Sequence, residues 1–270
     1  VAARRLRLDA ELVRRGLARS REHASELVSA GRVRVGGSTA AKPATQVDLA
    51  AAIVVEETDE KDEYVSRGAH KLLGALDAFS VDVTGRRCLD AGASTGGFTD
   101  VLLRRGAGHV VAVDVGYGQI AWSLRTDERV SVLERTNVRT LEPAQVAPAP
   151  SLVVADLSFI SLTLVLPALV RCVAPDAEHV LMVKPQFEVG REALGAGGVV
   201  RSADLRAAAV RTVADAAAAL GLGVRGVAAS PLPGPSGNVE YFLHLSAGAA
   251  PLAEDDLSRA IADGPQAGLS

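Results

Sequence analysis

Aromatic side chains are scarce in this chain. Five Phe, three Tyr and one Trp make up 3% of its 270 residues, and there is a single Met. A core of the size this length permits has to be built from Ala, Val and Leu, in a chain that is 48% hydrophobic. Only two cysteines are present, Cys88 and Cys172, each inside an apolar run. They are too few for a disulfide framework and read as reduced core residues of a cytoplasmic protein. The five histidines are scattered, with no Cys or His at ligand spacing, so no metal centre is expected. Long apolar runs are also missing. The best stretch, Phe159–Val170, is about 12 residues and contains Pro167, well short of the roughly 20 a membrane-spanning helix needs. The N-terminal arginines lead into no apolar segment, so neither a signal peptide nor a membrane partner is expected.

The net charge of −3 is uninformative as a sum but not in its placement. Residues 1–50 hold ten basic residues (Arg4, Arg5, Arg7, Arg14, Arg15, Arg19, Arg21, Arg32, Arg34 and Lys42) against five acidic ones, a net +5. Residues 56–63 then hold six acids against Lys61 alone. This composition boundary predicts a basic module over 1–56, an acidic linker near 57–65, a main domain over 66–246 and a polar tail over 247–270. In the basic module, Leu8, Leu12 and Val13 form one short apolar stripe, ended by Gly16. Ser20 is a candidate N-cap for a second helix with Ala24, Leu27 and Val28 on its inner face. Arg32-Val33-Arg34-Val35 alternates with period two ahead of a Gly36-Gly37 turn, which reads as a hairpin.

From Val65 onward strands and helices alternate. Strands are predicted at 86–90, 109–114, 130–134, 151–156, 179–184, 224–229 and 239–245. Helices are predicted at 68–79, 98–105, 117–124, 161–173 and 203–220, with a short one near 253–262. That rhythm predicts an α/β fold, a doubly wound and mostly parallel seven-stranded sheet, with the last two strands forming an antiparallel edge.

The richest segment is R-C-L-D-A-G-A-S-T-G-G-F-T, Arg87–Thr99. A strand ends at Asp90 and a turn follows through Gly92, Ala93, Ser94, Thr95, Gly96 and Gly97, with a helix starting near Phe98. The turn departs from G-x-G-x-x-G, the pattern that brings bare backbone against a pyrophosphate, which argues against a nicotinamide oxidoreductase. An acid just before the turn also suits a cationic, phosphate-free ligand better than a phosphate, and S-adenosylmethionine is the obvious candidate. Asp114, at the next strand end and 22 residues after Gly92, stands where a carboxylate accepts ribose hydroxyls, and Asn137 follows the third strand where it could read an adenine edge. Phe159 is equally a pocket-lining and a core residue. Any one of Asp90, Asp114, Asp156 and Lys184 could be a polar residue capping a neighbouring helix. Four at strand ends beside one glycine turn point to a ligand site. Lys184 is the costliest of them, because it follows the apolar run Val180–Val183.

Beyond these spacings, S-R-G-A-H-K-L, A-D-L-S-F-I-S, K-P-Q-F-E-V-G and P-G-P-S-G-N-V-E-Y-F carry a resemblance. Residues 66–245 are similar to FtsJ-type ribose 2′-O-methyltransferase domains, and residues 4–48 resemble an S4 RNA-binding domain. The combination, over about residues 4–246, resembles the TlyA family, also called haemolysin A-like. It departs from the family pattern in the acidic linker and the tail. The resemblance implies a Rossmann-like fold, S-adenosylmethionine as donor, and cytidine 2′-oxygens of 16S or 23S ribosomal RNA, in ribosomal subunits, as acceptors. It implies a Lys-Asp-Lys-Glu tetrad at Lys71, Asp156, Lys184 and Glu240. It also implies RNA contacts from Arg4, Arg5, Arg14, Arg15, Arg19, Arg21, Arg32, Arg34, Lys42 and Arg67. Two other readings remain at this point: a pore-forming haemolysin, which the family label suggests, and a non-catalytic ribosome-binding factor.

Overall fold

The computed structural model describes residues 5–18, 21–29, 31–55, 64–190, 192, 194–234 and 236–264, in two compact units, 1–63 and 64–270. Most of the expected acidic linker, along with Arg4, Arg19 and Ser20, lies outside the described residues.

In the first unit, β1 (Arg5–Arg7) runs into α1 (Leu8–Arg14), followed by α2 (Arg21–Ser29), β2 (Val33–Val35), β3 (Ser38–Thr39), β4 (Gln46–Asp48) and β5 (Ile53–Val55). β1 pairs antiparallel with β4, and β2 lies between β3 and β5. Gly36 and Gly37 both have positive φ, 57° and 85°, the conformation a two-residue hairpin turn requires. Leu8, Leu12, Ala24, Leu27, Val28, Val33 and Val47 form the core. α1 also buries two acids, Asp9 and Glu11. Arg7 and Arg21 reach Asp9 at 2.8 and 3.0 Å, and Arg14 and Arg15 reach Glu11 at 2.6 and 2.7 Å. The hydrogen bonds from Arg7 hold the Asp9 carboxyl well below its ordinary range. Those from Arg14, then Arg15, bring Glu11 to about 2.

In the second unit α3 (Ala69–Phe79) precedes β6 (Arg87–Ala91), α4 (Gly97–Arg104), β7 (His109–Val113), α5 (Trp122–Arg125), β8 (Val130–Leu133), α6 (Pro143–Val146) and β9 (Leu152–Ala155). Then come α7 (Leu166–Arg171), β10 (Glu178–Val183), α8 (Pro185–Glu188), α9 (Ala203–Ala218), β11 (Leu222–Ala229), β12 (Tyr241–Ala247) and α10 (Glu254–Asp263). The strand order is β11-β12-β10-β9-β6-β7-β8, parallel from β10 to β8, with β12 antiparallel to β10 and β11 antiparallel to β12. Both faces are covered. Leu89, Val111, Val153 and Leu181 pack with α7, α9 and α10, whereas Cys88, Val110, Val154 and Val180 pack with α3, α4 and α5. This two-sided burial is why the strands read as unbroken apolar runs.

Two expected elements differ. The helix expected at 117–124 is shortened to α5, because Gly118 has φ 69° and breaks the helical path. The helix expected at 161–173 is split into a 3₁₀ turn, Leu162–Leu164, and α7, with Pro167 in the first turn of α7, where a missing N–H costs no helical bond. The short helix expected near 253–262 is α10, and its Leu257 and Ala260 are part of the main core.

Glu11 gives the first unit an acid-sensitive brace. Its carboxyl is depressed in the fold, so its contribution is complete above the ordinary value of 4.5 and is lost as the pH falls towards about 2. Hydrogen exchange in the full chain, corrected for intrinsic rates, is expected to show α1 losing protection across that window. Glu11→Gln should have low protection in α1 already at neutral pH and a flatter pH response.

Candidate active site

The β-sheet places the site. Strand order reverses between β6 and β9: the chain proceeds from β6 outward to β7 and β8, then returns to β9 and continues outward on the other side. Ligands of open α/β sheets bind beyond the carboxyl ends of the strands at such a reversal. Ala91 of β6 pairs with Ala155 of β9, so Gly92 and Asp156, one residue further on each strand, lie side by side. Val183 of β10 pairs with Tyr241 of β12, so Lys184 and Glu240 come out at the same end of the sheet. Lys71 enters from the first turn of α3.

The four residues form two ion pairs. Lys71 Nζ lies 2.6 Å from Glu240 Oε2, with the side chains 9% and 0% exposed. Lys184 Nζ lies 2.6 Å from Asp156 Oδ1, with side chains 8% and 25% exposed. Each lysine is buried next to a carboxylate that offsets its loss of water. Deleting one partner of such a pair typically costs about 3–5 kcal/mol, because the other charge is left alone. Glu240 Oε1 has no hydrogen-bond partner among the described residues and packs against Gly234, where a Cβ would come within 2.6 Å of it. The buried Asn238 accepts a hydrogen bond from Val200 N and donates one to the carbonyl of Gly198. It therefore ties the end of the 190–200 loop to the segment that carries Glu240.

Beside the Asp156–Lys184 pair opens a cleft of about 420 Å³, a volume within the range of small-molecule sites. Gly92, Ser94, Asp114, Asn137, Asp156 and Phe159 line it, as expected from sequence. Gln119, Ser158 and the apolar Val115, Val138, Leu157, Ile160 and Val165 line it as well. The sequence reading had not singled these out, although Leu157, Ser158 and Ile160 sit inside the quoted A-D-L-S-F-I-S motif. Asp114 bridges two loops, accepting from Ser94 N at 2.8 Å and Gly116 N at 2.6 Å. Asn137 Oδ1 accepts from Arg139 N, so the capping role and the cleft-lining role coexist in one side chain. Phe159 is not core: it is 91% exposed at φ 65°, with its ring 5.3 Å from that of Phe187. Bare backbone at Gly92, polar groups at Asp114 and Asn137, apolar walls and a half-buried carboxylate at Asp156 fit a nucleoside carrying a cationic centre.

Several expected ligands of this cleft do other work. Asp90 is fully buried on the α4 side of the sheet and accepts from Thr99 Oγ1 at 2.7 Å. Burial pushes its carboxyl up to about 7. It anchors α4 under the turn and does not line the cleft, because strand alternation turns it away from the strand end. Phe98 is 4% exposed and packs near Phe242 in the core. Ala93 is buried in the same cluster. Gly96 (φ 99°) makes room for Leu124, and Gly97 for Ser66 and Ala69. Thr95 accepts from Ala121 N through its carbonyl. None of these five residues lines the cleft.

Among the expected RNA contacts, Arg5, Arg14, Arg21, Arg34, Lys42 and Arg67 are exposed and Arg32 is half-buried. Arg15 is corrected. Its side chain is 22% exposed and its guanidinium is spent on Glu11 and on the carbonyls of Leu49 and Ala51, both at 2.8 Å. It braces the module from inside. Among the described residues no group of three or more His, Cys, Asp or Glu is placed to hold a metal, and no helix is long and apolar enough to cross a membrane.

The FtsJ-like methyltransferase family model matches residues 64–247, and the S4 domain model matches residues 6–53. The chain is 62% identical over 268 residues to the 16S/23S rRNA (cytidine-2′-O)-methyltransferase TlyA of Mycobacterium tuberculosis, covering 97% of this chain and 100% of that one. It is 35% identical to Hemolysin A of Brachyspira hyodysenteriae, covering 89% and 99%. A solved structure of a candidate hemolysin from Streptococcus thermophilus superposes with a TM-score of 0.75 at 39% identity, over 97% of this chain and 96% of that one.

Gly92 is the most demanding position of the turn. It has φ 89°, and a Cβ there would lie 2.5 Å from the backbone carbonyl of Asp156. Gly92→Ala is expected to lower stability by about 1–3 kcal/mol, the range for strained backbone. It should also weaken S-adenosylmethionine binding at least tenfold, as read by thermal unfolding and calorimetry.

Proposed function

The chain belongs to the FtsJ-like methyltransferase family, here joined to an S4 domain, and on that footing we propose the following reading. It is an S-adenosylmethionine-dependent methyltransferase that modifies the 2′-oxygen of cytidine in ribosomal RNA. The observation that carries this is the convergence of two buried lysine–carboxylate pairs on three neighbouring strand ends, next to a nucleoside-sized cleft.

When bound, S-adenosylmethionine supplies a methyl group on a sulfonium, whose C–S electron pair returns to sulfur as the C–O bond to the ribose forms. The chain has to hold donor and acceptor in line and ease loss of the hydroxyl proton, and much of the rate comes from that alignment. Asp114 and Asn137 hold the donor's ribose and adenine. Asp156 lies where the sulfonium charge is offset. Lys184 Nζ lies against the reacting hydroxyl, taking its proton when neutral or balancing the alkoxide charge when protonated. Lys71 and Glu240 position the ribose and its phosphate.

The first unit supplies the attraction to RNA. It has no Phe, Tyr or Trp within residues 1–56, so Arg5, Arg14, Arg21, Arg34 and Lys42 address backbone and folded shape rather than stacked bases. Stacking is offered instead by Phe159, an exposed ring at the rim of the cleft, against which an unstacked base can lie. The protein works where ribosomal subunits are, in the cytoplasm.

Tritiated methyl transfer to 16S and 23S RNA, compared for free RNA, separate subunits and whole ribosomes, tests this. Lys184→Ala is expected to abolish incorporation, and Asp156→Ala nearly so. The double variant Arg34→Glu/Lys42→Glu should raise the KM for ribosomal substrate at least tenfold while leaving S-adenosylmethionine affinity unchanged. Undiminished incorporation with Lys184→Ala would overturn the reading.

A further inference from the structure

Lys184 is held by two groups of different character. Asp156 Oδ1 is 2.6 Å from its Nζ, yet that oxygen accepts no directed hydrogen bond. The directed bond runs from Nζ to Ser158 Oγ, at 2.8 Å. An ion pair depends on distance and barely on angle, whereas a hydrogen bond weakens steeply once the donor turns away. Asp156 therefore sets where the nitrogen sits, and Ser158 sets how it is turned.

The bond is built into the fold at both ends. Lys184 opens the segment that forms α8, and Glu188 closes it. Glu188 accepts from Ser161 Oγ and, at 2.8 Å, from Leu162 N. Lys184–Glu188 and Ser158–Leu162 are thus fastened to each other at their first and last residues. Burial raises the Glu188 carboxyl above its usual range, and the bonds from Ser161 and Leu162 oppose that. Ser158 itself is exposed to the cleft, so its hydroxyl supports nothing by packing.

We propose that Ser158 is a positioning residue for methyl transfer, fixing the rotation of the Lys184 amine so that one of its open directions addresses the acceptor hydroxyl. A tetrahedral nitrogen has four directions. One is the bond to Cε and one is taken by Ser158, and because the Asp156 oxygen accepts no directed bond, the Ser158 bond alone fixes how the other two are turned, one of them towards the ribose. Without Ser158 the amine stays beside Asp156 but turns freely. Correctly oriented encounters then become a minority, while donor and RNA bind as before. The inference rests on the reading of Lys184 as the group nearest the hydroxyl.

The test uses Ser158→Ala, Ser158→Cys and Lys184→Ala in the full chain. Cysteine keeps the volume of serine but is a weak acceptor. Both Ser158 variants are expected to lower kcat roughly ten- to a hundredfold, the scale of a small misplacement at a reacting atom. The KM for ribosomal substrate and the calorimetric Kd for S-adenosylmethionine should stay within threefold. The role of Ser158 falls, with the reading intact, if Lys184→Ala is inactive while either Ser158 variant keeps kcat within twofold of wild type. It falls equally if the variants lose donor affinity and keep kcat at saturating donor. If Lys184→Ala is active, both the reading and the inference fall.

Discussion

The close approach of Gly92 to the carbonyl of Asp156 sets the rest of the site. It occurs where strand order reverses between β6 and β9, and leaves no room for a side chain at position 92. Because the two strands can run this close, Asp156 leaves the sheet directly beside the glycine turn. Lys184, on the neighbouring strand, reaches it at 2.6 Å, and Ser158, two residues on, reaches Lys184 from the cleft side. Asp114 holds the other wall through the amide of Ser94, which follows the same turn. A shift of the turn by an ångström would move donor cleft and lysine apart together.

The charges of the second unit show three solutions to burying an ionisable group. Asp90 has no cation partner among the described residues; burial pushes its carboxyl up to about 7, and it holds α4 by accepting from Thr99. Asp156 and Glu240 each sit 2.6 Å from a lysine amine. Glu188 is intermediate, capping a 3₁₀ turn with a raised carboxyl and two hydrogen bonds. The first unit divides its arginines in a comparable way. Arg15 is consumed by the fold, and Arg14 and Arg21 are shared between a buried acid and the surface. The side chains of Arg5, Arg34 and Lys42 are exposed.

Much of the fold was legible because burial on both sheet faces leaves apolar runs of strand length separated by glycines and polar turns. Position at strand ends made Asp114, Asn137, Asp156 and Lys184 stand out. Lys71 and Glu240 were legible only through the family motifs, because a lysine on a helix and a glutamate at a strand start have plainer meanings when taken singly. The glycine turn was read as if all its glycines faced the ligand. Only Gly92 lines the cleft, while Gly96 and Gly97 accommodate α5 and the approach to α3. Asp90 was misread for a related reason: it stands next to the strand end in sequence but, by alternation, faces the opposite way from Ala91.

The sequence by itself determined the two-part organisation of charge, the α/β rhythm, and the residue types gathered at the strand ends. These are set by local composition and by a period of two or 3.6, and each can be read within a few residues. Only the tertiary structure decided which of those residues share a space. Pairing Lys71 with Glu240, 169 positions apart, depends on a helix and a strand start being brought together. The turning of Lys184 towards Ser158 depends on two loops pinned to each other by Glu188. The split of the Arg87–Thr99 segment into two cleft residues, Gly92 and Ser94, and a larger number that pack in the fold depends on what lies above and below it. Those outcomes follow from packing between distant segments, which no local pattern encodes.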